Sequence, residues 1–147
     1  MINAKMTLFQ RIRRRFAPPK QAVIIVGVEY DSYQIHNAIK QHSQRYFTAF
    51  FIDDEPWNHR NEIDGAQLRY PVEWRALCRN YEVVAVICPS AEAREELLGV
   101  EDGDRRILTT RLLVIPPAEI PQQADIDQWL TRQIEDADSI RPDQQES

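Results

Sequence analysis

A three-layer α/β domain with a mostly parallel open sheet is the fold this sequence predicts, and three observations carry it. Residues 21–28, 46–52 and 82–88 hold continuous apolar runs rich in β-branched and aromatic residues, as strands buried on both faces do. Stretches with helical spacing of apolar residues alternate with those runs. The first strand, a helix and the second strand fit within about 30 residues, the size of a βαβ unit with a right-handed crossover.

The elements follow in order. Ile2, Met6, Phe9, Ile12 and Phe16 fall near one face of a helix over residues 1–16, with Arg11, Arg13, Arg14 and Arg15 at its end. Ala17, Pro18, Pro19 and Lys20 break it and serve as a linker. The strand at 21–28 leads into a helix over 31–43, capped by Asp31 or Ser32, with Ile35, Ala38 and Ile39 on one side. The second strand, 46–52, stops at Asp53, Asp54, Glu55 and Pro56. Residues 58–64 are polar and read as a loop, and 65–70 hold a short strand. A helix over 72–80 turns Trp74, Leu77 and Cys78 inward. The strand at 82–88 ends at Pro89 and Ser90, ahead of a helix over 91–98 that Gly99 stops. A short strand at 112–115 is closed by Pro116 and Pro117. A last helix over 125–134 carries Ile126, Trp129, Leu130 and Ile134 on one face, and a disordered acidic tail is expected after Asp138. The organisation is therefore a basic segment and linker (1–20), an α/β domain (21–117), and a C-terminal helix with an acidic tail (118–147).

Composition narrows the function. The 147 residues carry a net charge of −5, yet residues 1–20 contain only basic charges, so the body is more acidic than the total. An acidic body argues against nucleic acid as a partner. No apolar run reaches the length of a membrane span, and residues 1–16 lack the core of a cleavable signal, so a cytoplasmic location is expected. Arginines beside an apolar stripe at 1–16 allow peripheral contact with anionic lipid at the inner membrane face, or packing on the body. Cys78 and Cys88, ten residues apart, match neither a disulfide framework nor a zinc spacing and read as reduced core thiols.

In open parallel sheets ligands bind beyond the carboxyl ends of the strands. A dinucleotide turn there reads Gly-x-Gly-x-x-Gly. Here the frame is Gly27, Val28, Glu29, Tyr30, Asp31, Ser32, and only the first glycine stands. Glu29 puts a carboxylate where a pyrophosphate would lie, and Asp31 adds another, each opposing a diphosphate by about 1–4 kcal/mol in a partly dry site. Asp31 also suits a plain helix cap. Asp53 closes the second strand 21 residues after Ser32, either as an acid for a ribose hydroxyl pair or as a strand stop beside Asp54.

The sequence Val26-Gly27, then Phe51-Ile52-Asp53-Asp54-Glu55-Pro56, Ile63-Asp64-Gly65, and Val83 to Ser90 forms a familiar order. It resembles the Rossmann-like, so-called CoA-binding domain of bacterial polysaccharide-biosynthesis proteins of the nucleotide-sugar epimerase/dehydratase group. The likeness covers about residues 21–117, and is expected here without that group's membrane region and catalytic domain. It implies Gly27 as the turn glycine, Asp53 as the ribose acid, and Pro89 and Ser90 at the pocket edge. Glu29, Ser32 and Tyr70 depart from the family pattern. A more distant likeness is to the N-terminal nucleotide-sugar-binding domain of bacterial sugar acyltransferases, without their hexapeptide repeats.

Catalytic signatures are missing from the sequence. The lysines are Lys5, Lys20 and Lys40, and none lies four residues after a tyrosine, as a Tyr-x-x-x-Lys proton-transfer pair needs. Neither a Gly-x-Ser-x-Gly elbow nor a Walker loop is present. His36 and His42 lie on or beside the first helix, and His59 in a loop near Glu62 reads as solvated rather than metal-binding. Three functions remain. The first is a non-catalytic module for a nucleotide or nucleotide-sugar, regulatory in polysaccharide or envelope assembly. The second is a degenerate scaffold for a protein partner or homo-oligomer. The third is a non-catalytic subunit of a split enzyme. The cofactor is unnamed by the sequence, with an NAD(P)-like ligand opposed by Glu29 and Ser32. The candidate site is Gly27, Val28, Glu29, Ser32, Asp53, Asp54, Pro89 and Ser90, with no catalytic or metal residues.

Overall fold

The computed structural model describes residues 19–55, 58–101, 108–121 and 125–137. The expected helix at 1–16, most of its linker and the acidic tail after Asp138 lie outside the described residues. Among the described residues six strands form one sheet: β1 Gln21–Val26, β2 Tyr46–Ile52, β3 Glu62–Ile63, β4 Ala66–Arg69, β5 Ala85–Cys88 and β6 Arg111–Val114. Their order across the sheet is β3-β4-β2-β1-β5-β6, and every pairing is parallel except β3 with β4. The helices described are α1 (Tyr30–His42), α2 (Trp74–Asn80), α3 (Ala91–Leu98) and α4 (Ile126–Asp136).

Two cores explain the three layers. Successive strand residues face opposite sides. Ile24, Ile52, Val86 and Cys88 therefore pack with Trp74, Leu77 and Leu97 of α2 and α3. Val23, Ile25, Phe51 and Ile87 pack with Ile35, Ile39, Ile126 and Leu130 of α1 and α4. Both faces of the central strands are thus apolar, which is why their sequence runs are unbroken. Cys78 and Cys88 are free and buried, and burial pushes both thiols up to about 12.

Polar ties fix the outer elements. Ser43 Oγ, just past α1, donates to Asp127 Oδ1 at 2.5 Å, and the Gln44 amide donates to the other oxygen at 3.0 Å. Tyr46 Oη and Thr131 Oγ1 lie 2.6 Å apart, a second link from β2 to α4. Buried His36 of α1 places Nδ1 2.9 Å from Thr48 Oγ1 and Nε2 2.9 Å from Asp64 Oδ2, joining helix, β2 and the β3–β4 turn.

Several boundaries depart from expectation for local reasons. β1 ends at Val26, because Gly27 (φ +89°) turns the chain out of the sheet. α1 starts at Tyr30 with Glu29 as its N-cap, so neither Asp31 nor Ser32 caps it. Residues 58–64 are not all loop, since Glu62 and Ile63 pair antiparallel with β4. The helix expected from 72 opens as a 3-10 turn, Pro71–Glu73. β5 is shorter than its apolar run: Glu82 takes a positive φ of 52°, and the Val83 amide donates back to Cys78 O at 3.0 Å.

Candidate functional site

The carboxyl ends of β1, β2 and β5 surround a cleft of about 740 Å³. All eight residues singled out from the sequence line it: Gly27, Val28, Glu29, Ser32, Asp53, Asp54, Pro89 and Ser90. The topology brings them together, because β1 lies between β2 and β5 and the three strands run the same way. The Gly27 amide donates to Ile52 O at 2.7 Å, so the first turn is pinned beside the end of β2. The Asp53 amide donates to Arg69 O at 2.9 Å, and its Oδ2 accepts from Asn58 Nδ2 at 2.9 Å, so that carboxylate is held at the rim.

The turn works differently from a three-glycine turn. Ser32 Oγ donates to Val26 O at 2.7 Å, folding its side chain under the bend. A Cβ on Gly27 would meet that oxygen at 2.9 Å. The hydroxyl of Ser32 thus fills the space beneath the turn, and Gly27 is the position that must stay bare. Ser90 ends β5's loop and caps α3, its Oγ accepting from the Ala93 amide at 3.1 Å. The N-termini of α1 and α3 both border the cleft through Glu29 and Ser90. Carboxylates dominate the wall: Glu29, Asp31, Asp53, Asp54, Glu55, Glu92 and Glu96 line it, with no lysine or arginine among the described lining residues.

A polar hub buttresses one rim, and the sequence reading missed it. Glu73 Oε1 accepts from Arg69 Nε at 3.1 Å and Nη2 at 2.8 Å, while Oε2 accepts from the Tyr70 amide at 2.7 Å. His59 Nε2 lies 3.0 Å from Oε2, and its ring stacks on Tyr70 at 3.9 Å. His59 is therefore neither a solvated loop residue nor a partner of Glu62. The readable signal was Tyr-Pro-x-Glu at 70–73, proline at the first helical position and glutamate at the third.

Burial alone would raise the Glu73 carboxyl, but the hydrogen bonds from Arg69, Tyr70 and His59 and the Arg69 charge outweigh it and hold it near about 2. Its ordinary value is 4.5. A carboxylate lowered on folding adds stability that is complete above the ordinary value and is lost as pH falls through the folded one. Urea titrations of the wild type and Glu73→Gln should therefore differ by about 1–2 kcal/mol at pH 6, after allowance for partial exposure, and converge between pH 4.5 and 2.

Comparison with solved structures fits this architecture. UDP-D-quinovosamine 4-dehydrogenase from Vibrio fischeri superposes with a TM-score of 0.53 at 20% identity, covering 86% of this chain and 98% of that one. The fold is Rossmann-like. RSP, a Rex-family repressor, was also found. Its complex with β-NADH gives a TM-score of 0.49 at 14% identity over 77% of this chain and 57% of that one. Its complex with β-NAD+ and operator DNA gives 0.47 at 14% identity over 65% and 50%. This chain thus spans little more than half of the RSP chain. No protein-family model matches the chain, and no curated protein does. Within the Rossmann-like fold, the cleft lies at the sheet edge where such folds hold ligands. No helix among the described residues is long and apolar enough to cross a membrane.

Proposed function

We propose that this chain is a non-catalytic Rossmann-like module that takes the nucleoside end of a nucleotide or nucleotide-sugar in the cleft, as a regulatory element of bacterial polysaccharide or envelope biosynthesis. The observation that carries the reading is the meeting of the Gly27 turn and the anchored Asp53 carboxylate at one rim. A carboxylate at the end of β2 suits a ribose hydroxyl pair. Support for the sugar-nucleotide class comes from the dehydrogenase above, whose name specifies a UDP-sugar. Support for a non-catalytic role is the lack of any lysine four residues after a tyrosine.

The wall of carboxylates sets the selectivity. It repels an unaccompanied diphosphate, so recognition falls to ribose and base. Calorimetry against NAD(H), NADP(H), CoA, UDP-sugars and free nucleotides tests the reading. Heat that disappears in Asp53→Ala supports it, and no heat with any of them overturns it. Glu29→Gln removes one opposing charge, and is expected to tighten diphosphate ligands roughly five- to tenfold at low salt while leaving nucleoside affinity unchanged.

The same wall favours a second reading, a scaffold for a basic protein partner with no nucleotide bound. Pull-down of a stable complex that Glu92→Lys disrupts would favour it, and retention of a nucleotide by the purified chain in native mass spectrometry would count against it.

A further inference from the structure

The sheet is incomplete at the end away from the cleft. β2 has seven residues, yet β4 lies beside only its last three, Phe50, Phe51 and Ile52. Among the described residues, Tyr46, Phe47, Thr48 and Ala49 have a neighbouring strand on the β1 side alone. Ala49 is a bulge residue there, falling between the pairs Thr48–Val23 and Phe50–Ile24. Along this open edge runs a groove of about 610 Å³. Phe47, Ala49, Phe50 and Tyr81 form its apolar wall, with Tyr81 edge-on to Phe50 at 4.9 Å. Phe47 is 42% exposed and Tyr81 55%. An uncovered strand edge beside exposed aromatic rings is a template for unwanted pairing, which native proteins blunt with bulges, such as the one at Ala49, or by covering the edge.

We propose that the chain's own residues 1–16 cover this groove, laying the stripe of Met6, Phe9, Ile12 and Phe16 against Phe47, Ala49 and Tyr81. Position argues for that occupant. Lys20 lines the groove and Gln21 opens β1, so Phe16 lies within about 14 Å of the groove even on a fully extended chain. Chemistry argues for it as well. The stripe supplies apolar groups at helical spacing to a wall that has apolar groups to bury. Glu62 lines the same groove and opposes in sign Arg11, Arg13, Arg14 and Arg15, while Asp64 beside it is already paired with Lys40 at 3.1 Å and His36 at 2.9 Å. The cleft at the carboxyl ends of the strands is left open by this arrangement.

Photo-crosslinking on the full chain tests the proposal. With benzoylphenylalanine in place of Phe9, irradiation at low protein concentration should give adducts within one molecule, on the peptides holding Phe47 or Tyr81. Hydrogen exchange on the full chain carrying Phe9→Asp and Ile12→Asp should be at least tenfold faster at the Thr48 amide, which faces the open edge because the alternate amides of Phe47 and Ala49 face β1, with Val86 and Ile87 of β5 unchanged. Adducts elsewhere on the chain, adducts onto a second molecule, or unchanged exchange at Thr48 would overturn it. So would phosphatidylglycerol vesicles that divert the label into lipid. Should the double variant loosen β5 too, the cross-link map on the otherwise wild-type sequence decides.

Discussion

Trp74→Ala is expected to destabilise the protein by about 3–5 kcal/mol, the range for emptying a fully buried indole site. Trp74 starts α2 and is wholly shielded from water, among the largest side chains in the core under β1, β2 and β5. The guanidinium of Arg75 sits 4.6 Å from its ring centroid. A loss of that size is a large part of the 5–15 kcal/mol that holds an ordinary domain together. Trp74→Phe should cost far less, about 1–2 kcal/mol. It keeps most of the ring volume, and it deletes an indole N–H that is buried with no hydrogen-bond partner among the described residues. Urea denaturation of both variants checks the contrast. Equal losses would show that the indole N–H has a partner in solution.

Gly27→Ala is the second large effect, about 2–3 kcal/mol. A left-handed φ of +89° costs an alanine about 1–2 kcal/mol. The new Cβ also crowds Ser32 Oγ at 2.9 Å and forces it off Val26 O, adding about 1 kcal/mol. The two parts separate in a double-mutant cycle. Ser32→Ala removes the crowding, so the double variant should be about 1 kcal/mol more stable than the sum of the single losses predicts. Strict additivity would mean that the serine rotates away freely and that backbone strain alone is at work.

The sheet was legible because strands buried on both faces advertise themselves as unbroken apolar runs. Residues 46–52 and 91–98 match β2 and α3 at both ends. The rim of the cleft was legible too, since the carboxyl ends of such strands must converge once their order is known. What escaped were features set by contacts distant in sequence. β3 has only two residues, too few to show a period. His59 and Glu73 are fourteen residues apart and meet only once the β3–β4 hairpin folds the chain back, with Arg69 of β4 on the other carboxylate oxygen. Ser32 looked like a cap because serine often caps. The helix begins two residues earlier, at Tyr30, which turns that hydroxyl inward under the glycine.

The clasp between Ser43 and Asp127 has a consequence for synthesis. Ribosomes deliver the chain from its amino end, so β1, α1 and β2 emerge long before α4. Until residues near 136 clear the exit tunnel, Ile35, Ile39, Ile87 and Ile115 lack the Ile126 and Leu130 that complete their side of the sheet. The nascent protein therefore carries a sticky flank from the synthesis of β2 until α4 is made, the stage at which chaperone capture or aggregation compete with folding. Of the described helices, the one made last is the one that closes this side of the sheet.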